Sequence, residues 1–337
     1  MDKKVYRNDG YASLDALKLL LAVIVVLRHA GQAWFDKGSV FYSIFTNFLS
    51  PVAVPVFFSI SGFLFFSKDR TVNNLKKYIF RILRLYLVWC IIYSPFVVRS
   101  FIASDVDFIS GIIWVIKNSI FSGFYYHLWF LPALIFATIF VFLLDNRLKS
   151  EYIVALGAIL YILGTVINTY GIGINTELYR WYEEIFLTTR NGLFFGTFFV
   201  AIGKYTAERK KEMSWNDWAF FSVSCLLFIL ESYYLIIIKD ATVVNMNISS
   251  MLIAPSLLIL VICKFRDMCI AGHKVFRSSS TVVFCIHPFV IILVGFVSKL
   301  ITLNEYGKVC ILVATSIVFS AAICFLSNRI KVFKWLL

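Results

Sequence analysis

The sequence predicts an all-α polytopic membrane protein with about ten transmembrane helices and both termini in the cytoplasm. Of its 337 residues, 60% are hydrophobic and only 15% are charged, whereas soluble domains are nearer half apolar and a quarter charged. About ten apolar stretches approach the roughly 20 residues that a helix needs to cross a bilayer. The formal net charge is +13, and the basic residues concentrate on one side of these stretches.

The apolar stretches are interpreted as helices because lipid admits only helices or closed barrels, and the stretches lack the alternation of barrel strands. The longest connections between them are 99–125 and 171–188. The chain divides into a cytoplasmic segment 1–13, a transmembrane domain 14–327 and a basic cytoplasmic tail 328–337. The predicted spans are 14–35, 48–67, 79–98, 126–145, 152–170, 189–206, 217–238, 248–264, 280–299 and 308–327.

Charge sets the predicted orientation. With the N-terminus in the cytoplasm, the inner segments hold 22 of the 32 lysines and arginines and the outer segments hold eight. This asymmetry follows the positive-inside rule, so we expect a multi-pass protein of a bacterial cytoplasmic membrane and no nucleic-acid partner. The inner residues are Lys3, Lys4, Arg7, Lys68, Arg70, Lys76, Lys77, Arg81, Arg84, Arg147, Lys149, Lys204, Arg209, Lys210, Lys211, Lys264, Arg266, Lys274, Arg277, Arg329, Lys331 and Lys334.

The seven cysteines form neither a disulfide framework nor a metal motif. Their number is odd, no C-x-x-C occurs, and most lie in apolar runs. We therefore interpret them as small apolar residues of helices and expect no metal.

The first predicted span carries unusual charges. Lys18 and His29 are eleven residues apart, so on a helix they share one face and are about 16 Å apart along the axis. Asp15 lies near that face, and Arg28 lies about 80° from it. Ionisable residues within a membrane are usually functional or paired. In the alternative interpretation, Lys18 extends to the inner headgroups and His29 caps the outer end of the helix.

A basic residue separated from a histidine by ten residues, in a helix opened by Leu14-Asp15, resembles the acyltransferase-3 family of membrane O-acyltransferases. Three further segments match family patterns: Val54–Phe63 with its Phe-Phe-Ser-Ile-Ser-Gly-Phe run, the arginine-rich Phe80–Tyr86, and the late Phe284–Pro288. Segments 126–132 and 190–195 also resemble the membrane halves of vancomycin-resistance serine racemases, a subgroup associated with serine supply. The chain departs from the family at Lys18, where the family has arginine; lysine keeps the charge and loses the bidentate fork.

The resemblance implies transfer of an acyl group, with acetyl expected, from cytoplasmic acetyl-CoA or another acyl-CoA to a hydroxyl of an envelope glycan or glycolipid. We expect His29 to be the general base and to share a cavity in the outer half of the membrane with His127 and Arg190. The candidate donors to the oxyanion are Arg28, Arg190, His127 and Ser61. For the anionic donor we expect Lys18, Arg81 and Arg84 at an inner opening, with Ser61 and Gly62 beside the pantetheine arm.

Each assignment has a structural alternative. Arg81 and Arg84 suit ordinary positive-inside anchoring, and His127 suits an interfacial aromatic belt beside Trp129. Ser61-Gly62 suits a close contact between helices. His287 suits a side chain that satisfies the carbonyl freed by Pro288.

Two acidic features have no assigned role in this scheme. Glu231 is a lone acid within the seventh predicted span. Glu183 and Glu184, beside Trp181, are interpreted as solvated residues of the outer connection, with sugar binding as the alternative.

Two further classes of function stay open. One is a transporter or serine-supply module without acyl transfer, and the other is a non-enzymatic assembly partner. A transporter is expected to show repeated, broken helices, whereas the sequence shows proline interruptions without an obvious repeat. Dependence on acyl-CoA distinguishes the enzyme from both alternatives. The oligomeric state does not follow from the sequence.

Overall fold

The computed structural model describes residues 11–104, 106–171, 176–209, 216–239, 241, 244–265, 268, 270 and 272–337. These ranges are helical and contain no strand, which confirms the all-α prediction for them. The predicted basic residues Lys3, Lys4, Arg7, Lys210, Lys211 and Arg266 lie outside the described residues. The helices are α1 (Ala12–Trp34), α2 (Val40–Phe66), α3 (Val72–Ile102), α4 (Phe108–Phe121), α5 (Phe130–Asp145), α6 (Ser150–Asn168), α7 (Glu177–Phe186), α8 (Thr197–Arg209), α9 (Asp217–Ile238), α10 (Ser250–Lys264), α11 (His273–Val297) and α12 (Glu305–Ser327), followed by a 3₁₀ turn at Lys331–Leu336.

Six of the described helices are long and apolar enough to cross a membrane: α2, α3, α6, α9, α11 and α12. The other four predicted spans are also helical, but α5, α8 and α10 have only 16, 13 and 15 residues, and α1 carries charged side chains. The structure therefore supports a multi-pass protein with six candidate spans among its described helices. The count of ten and the cytoplasmic position of both termini stay predictions.

The three short helices share one feature. Each is preceded by non-helical backbone, at residues 122–129, 187–191 and 244–249. Before α8 the chain also makes a π-helical turn at Gly192–Gly196, whose first N–H groups are capped by the side chain of Asn191. Irregular backbone at membrane depth is tolerated only where it is buried in protein or lines a cavity. These segments therefore indicate that the interior of the molecule contains a cavity or a buried contact.

Both long connections predicted from the sequence contain helices. The connection 99–125 holds the end of α3 and all of α4, and 171–188 holds α7. The two extra helices contact each other, since Lys117 Nζ donates to the Glu184 carbonyl at 3.0 Å. They have 14 and 10 residues, below the length of a spanning helix, which is why a search for spans missed them. Glu183 and Glu184 are exposed, as predicted, but on a helix rather than in an irregular loop.

α8 is the central helix of the bundle and packs closely against its neighbours through glycines. A Cβ atom at Gly62 of α2 would lie 2.5 Å from the Val200 carbonyl oxygen of α8, and one at Gly203 would collide with the Ser59 carbonyl oxygen and with Phe63 N of α2. A larger residue at either position would push the two backbones apart. This is the close helix contact that the Ser61-Gly62 pair suggested.

One end of the bundle gathers paired charges. Lys204 of α8 is 1% exposed and forms ion pairs of 2.8 Å with Asp145 and 2.9 Å with Glu208. Arg70 pairs with the same two carboxylates, at 3.2 and 2.6 Å. The loop after α2 and the C-terminal ends of α5 and α8 therefore meet at this end, which the charge pattern predicts to be cytoplasmic.

Candidate active site

A cavity of about 380 Å³ lies where α1 and α2 meet the irregular segments that precede α5, α8 and α10. It contains four predicted site residues: Arg28 and His29 from α1, His127 from the turn before α5, and Arg190 from the segment before α8. The structure thus brings together the residues predicted to share a cavity, and their catalytic roles stay predictions. The remaining lining residues are Val25, Gln32, Ser50, Pro51, Val54, Pro55, Tyr126, Trp129, Phe195, Asn245 and Phe284.

Three histidine rings form one cluster at the cavity wall. The rings of His29 and His287 stack with centroids 5.1 Å apart, and His127 packs edge-on against His287 at 5.2 Å. Tyr126 closes the cluster from the other side, 5.0 Å from His29. His287 is fully buried behind the other two and does not line the cavity. The cluster therefore places two imidazoles at the cavity and one as their support.

Hydrogen bonds assign the tautomers of these rings. His127 Nε2 lies 3.0 Å from the Cys285 carbonyl oxygen. A carbonyl can only accept, so Nε2 carries the hydrogen and Nδ1 keeps its lone pair. His29 Nδ1 lies 2.9 Å from Gln32 Oε1, which orients the ring and leaves Nε2 as the basic atom. His127 Nδ1 is buried and has no hydrogen-bond partner among the described residues.

Arg28 and Arg190 meet on one neutral oxygen. Arg28 Nη2 and Arg190 Nη1 both donate to Asn245 Oδ1 at 2.9 Å. Arg28 Nη1 also donates to Ser50 Oγ at 2.5 Å, and the Arg190 guanidinium lies 4.7 Å above the ring of Trp129. Because both groups bond the same oxygen, two positive charges lie close together and repel each other. The cavity therefore concentrates positive charge.

Glu231 fixes the backbone a few residues beyond Asn245. The carboxylate of Glu231 accepts from Ile248 N at 2.7 Å and Ser249 N at 2.6 Å, and also from the Tyr170 and Ser249 hydroxyl groups. These bonds fix the backbone that enters α10 and carries Asn245. Glu231 was singled out as a lone acid in a span, and the structure places it as the anchor of this segment.

Pro288 shapes the wall beside the histidines. It lacks an N–H group, so the Phe284 carbonyl loses its helical partner; His287 Nδ1 lies 2.8 Å from that oxygen. One residue further, the Tyr93 hydroxyl donates to the Cys285 carbonyl at 2.8 Å. The structural interpretation of His287 is thus confirmed, while its contact with His29 also connects it to the site.

The residues predicted to bind the donor lie away from this cavity. Lys18 pairs with the buried Asp15 at 2.9 Å, and Asp15 also pairs with Arg277 at 2.9 Å. Arg81 is exposed and stacks over Tyr78, and Arg84 Nε is buried without a hydrogen-bond partner among the described residues. Lys18 is thus part of a buried ion-pair cluster, which the isolated motif did not reveal.

Ser61 and Gly62 do not line the cavity either. Gly62 packs against the backbone of α8. The Cα atom of Gly62 thus faces a close helix contact, and its contact with a pantetheine arm stays a prediction. Ser61 is half-buried, and its role stays a prediction.

Sequence reasoning missed two residues that organise the site, Asn245 and Gln32. The signal for Asn245 was the pair of asparagines, Asn245 and Asn247, directly before an apolar run. No three His, Cys, Asp or Glu side chains in the described ranges are placed to hold a metal ion. The described cysteines are free thiols, and Cys269 lies outside those ranges.

Comparison with known proteins gives three curated relatives, all racemases. An amino-acid racemase of Enterococcus faecalis is 26% identical over 348 residues, covering 98% of this chain and 48% of the relative. A second one from E. faecalis is 32% identical over 234 residues, covering 66% of this chain and 32% of the relative. A serine/alanine racemase of Enterococcus gallinarum is 27% identical over 246 residues, covering 68% of this chain and 33% of the relative. The chain thus spans about half the length of these relatives or less, and no solved structure matches.

The family comparison confirms the resemblance given by the motifs. The family model described as an acyltransferase domain matches residues 11–327, which include α1 to α12 and every residue of the cavity. It points to a membrane protein of the acyltransferase type. This chain belongs to the acyltransferase-3 family.

Proposed function

We propose that the protein is an O-acyltransferase of the bacterial cytoplasmic membrane that moves an acetyl group from acetyl-CoA to a hydroxyl of an envelope glycan or glycolipid. The observation that carries the proposal is the pairing, in one cavity, of His29 and Arg190. The His29 ring is oriented through Nδ1, and no described residue bonds its Nε2 atom; Arg190 uses a single guanidinium hydrogen bond to the described residues. A base and an unused cationic donor are the two groups that acyl transfer to a hydroxyl requires.

In this mechanism His29 Nε2 accepts the proton of the acceptor hydroxyl as its oxygen attacks the thioester carbonyl. The C=O electron pair moves to oxygen, and the oxyanion is stabilised by Arg190, with Arg28 as a second positive charge. When the intermediate collapses, the C–S bond breaks, and the thiolate takes the proton from His29. His127 is the third polar group of the wall, and its buried Nδ1 lone pair can accept from the acceptor or from water.

The donor is proposed to enter from the end that carries Lys18, Arg81, Arg84 and Arg277. Several cations at one opening suit the phosphates of CoA. The buried and unpartnered Nε of Arg84 supports this entry, since such a donor costs free energy unless a ligand or water accepts from it.

The test is acetyl transfer by the purified protein in nanodiscs, with [¹⁴C]acetyl-CoA and a panel of envelope glycans. We expect His29→Ala to lower the rate about 10²–10⁴-fold, with unchanged elution and thermal unfolding. Added imidazole, which fits the vacated space, is expected to restore part of the rate. An unchanged rate in a folded His29→Ala protein would remove the base and with it the mechanism.

A second function is favoured by the relatives, which are named amino-acid and serine/alanine racemases. The chain would then be a serine-supply or transport module without acyl transfer. No acetyl-CoA binding at millimolar concentration, together with serine uptake into vesicles, would select this function over the first.

A further inference from the structure

We infer that the cavity binds a small acceptor that carries a carboxylate, held by Arg28 and Arg190, so that its hydroxyl faces His29. The assignment of the hydroxyl rests on the proposed function. The assignment of an anion site does not, because it follows from the charges alone.

Arg28 and Arg190 are half-buried cations. Lys18 and Lys204 each pair with a carboxylate, at 2.9 and 2.8 Å. Neither Arg28 nor Arg190 forms an ion pair with any described acidic residue, and the oxygen they share belongs to the neutral Asn245. Buried charges are normally paired. A ligand anion in the cavity would supply the missing partner.

The oxyanion of the reaction does not account for this excess of charge. It carries one negative charge and exists only during transfer, whereas both guanidinium groups are charged throughout. A carboxylate on the bound acceptor balances one cation before the reaction and leaves the other for the oxyanion. Each of the two permanent positive charges is then balanced, one by the carboxylate before the reaction and the other by the oxyanion during it.

The available donors and the size of the cavity suit a carboxylate. Arg28 already donates from Nη1 to Ser50 and lies near the Thr46 and Val244 carbonyls, and its Nη2 donates to Asn245. Arg190 lies over the ring of Trp129, and only its Nη1 atom bonds a described residue. The remaining N–H groups of Arg190 can therefore form the paired hydrogen bonds that the two oxygens of a carboxylate accept. A volume of about 380 Å³ accommodates a sugar acid or an amino acid, at the small end of ligand cavities.

The test compares charged probes with neutral analogues of the same shape. Purified protein in nanodiscs is titrated with D-glucuronate against D-glucose, and with L-serine against L-serinamide. Trp129 lies under Arg190, so tryptophan fluorescence reports occupancy, with Trp129→Phe to identify the signal. We expect at least one carboxylate to bind more tightly than its neutral analogue by about tenfold or more.

Variants locate the site. Arg190→Gln is expected to weaken carboxylate binding at least about tenfold, Arg190→Lys to weaken it less, and Arg180→Gln, on the exposed face of α7, to leave it unchanged. Equal binding of charged and neutral probes, no carboxylate binding at about 10 mM, which corresponds to a very weak site, or binding of glycerol 3-phosphate alone would overturn the inference. Acetyl transfer to neutral glycans alone would overturn it and leave the proposed function standing. Carboxylate binding without acetyl-CoA consumption would support the anion site and contradict the proposed function.

Discussion

At the residue scale, the pair His287-Pro288 allows a test of how much one side-chain hydrogen bond contributes to stability. Proline removes the N–H that would bind the Phe284 carbonyl, and His287 Nδ1 bonds that oxygen instead. We expect His287→Ala to lower the free energy of unfolding in mixed micelles by about 1–3 kcal/mol, because a buried carbonyl loses its partner.

The matched control restores the backbone donor. In Pro288→Ala the N–H of residue 288 can bond the Phe284 carbonyl, so His287→Ala in that background should cost at least about 1 kcal/mol less. Equal costs in the two backgrounds would show that His287 stabilises the protein through its ring contacts alone.

The site residues show what single residues reveal in a sequence. His29, His127 and Arg190 were predictable because a polar side chain beside an apolar run is conspicuous. Gln32 is neutral and lies in the last turn of α1, and Asn245 is neutral and lies in the irregular segment before α10, where polar residues are ordinary. The pairing of Lys18 with Asp15 was within reach, since the two are three residues apart on one helix, but Arg277 comes from a distant helix, and only the fold joins it to them.

At the element scale, length decided what could be predicted. The six long helices correspond to apolar stretches of the sequence. α4 and α7 are too short to register as spans, and α5 and α8 begin later than the apolar runs, because the runs continue through non-helical segments that line the cavity. High hydropathy indicates that a segment is buried in lipid or in protein. It does not distinguish a buried helix from a buried turn.

The crossing of α2 and α8 provides the second test of stability. A Cβ atom at Gly62 would lie 2.5 Å from the Val200 carbonyl oxygen, so we expect Gly62→Ala to lower the free energy of unfolding by about 1–3 kcal/mol through overpacking. Gly203→Ala, which faces the Ser59 backbone of α2, should behave alike.

The control for this test is Gly295 of α11. Nothing lies within 4 Å of a Cβ atom built there, so Gly295→Ala should leave stability unchanged or raise it by up to about 1 kcal/mol through helix propensity. A loss at Gly295 equal to that at Gly62 would assign the effect to flexibility of the helices rather than to the crossing.

At the scale of the whole molecule, the ion pairs and the cavity lie at different levels of the bundle. The end with Lys18, Arg70 and Lys204 gathers ion pairs, while the cavity lies farther along α1, where Arg28 and His29 are about 16 Å from Lys18. An acyl donor arriving from one side and an acceptor from the other would meet across this distance. The proposed reaction therefore depends on which end faces the cytoplasm.

The orientation can be tested with single cysteines in a cysteine-free background, labelled in intact cells by a membrane-impermeant maleimide. We expect Gly38→Cys, in the exposed turn between α1 and α2, to be labelled. Ser67→Cys, Asn146→Cys and Asn328→Cys, after α2, α5 and α12, should react only after permeabilisation, because the basic residues near them favour the cytoplasm. The reverse pattern would invert the protein and the side from which CoA enters. Labelling of Asn146→Cys without Ser67→Cys would show that the helices between them do not cross the membrane in the predicted number.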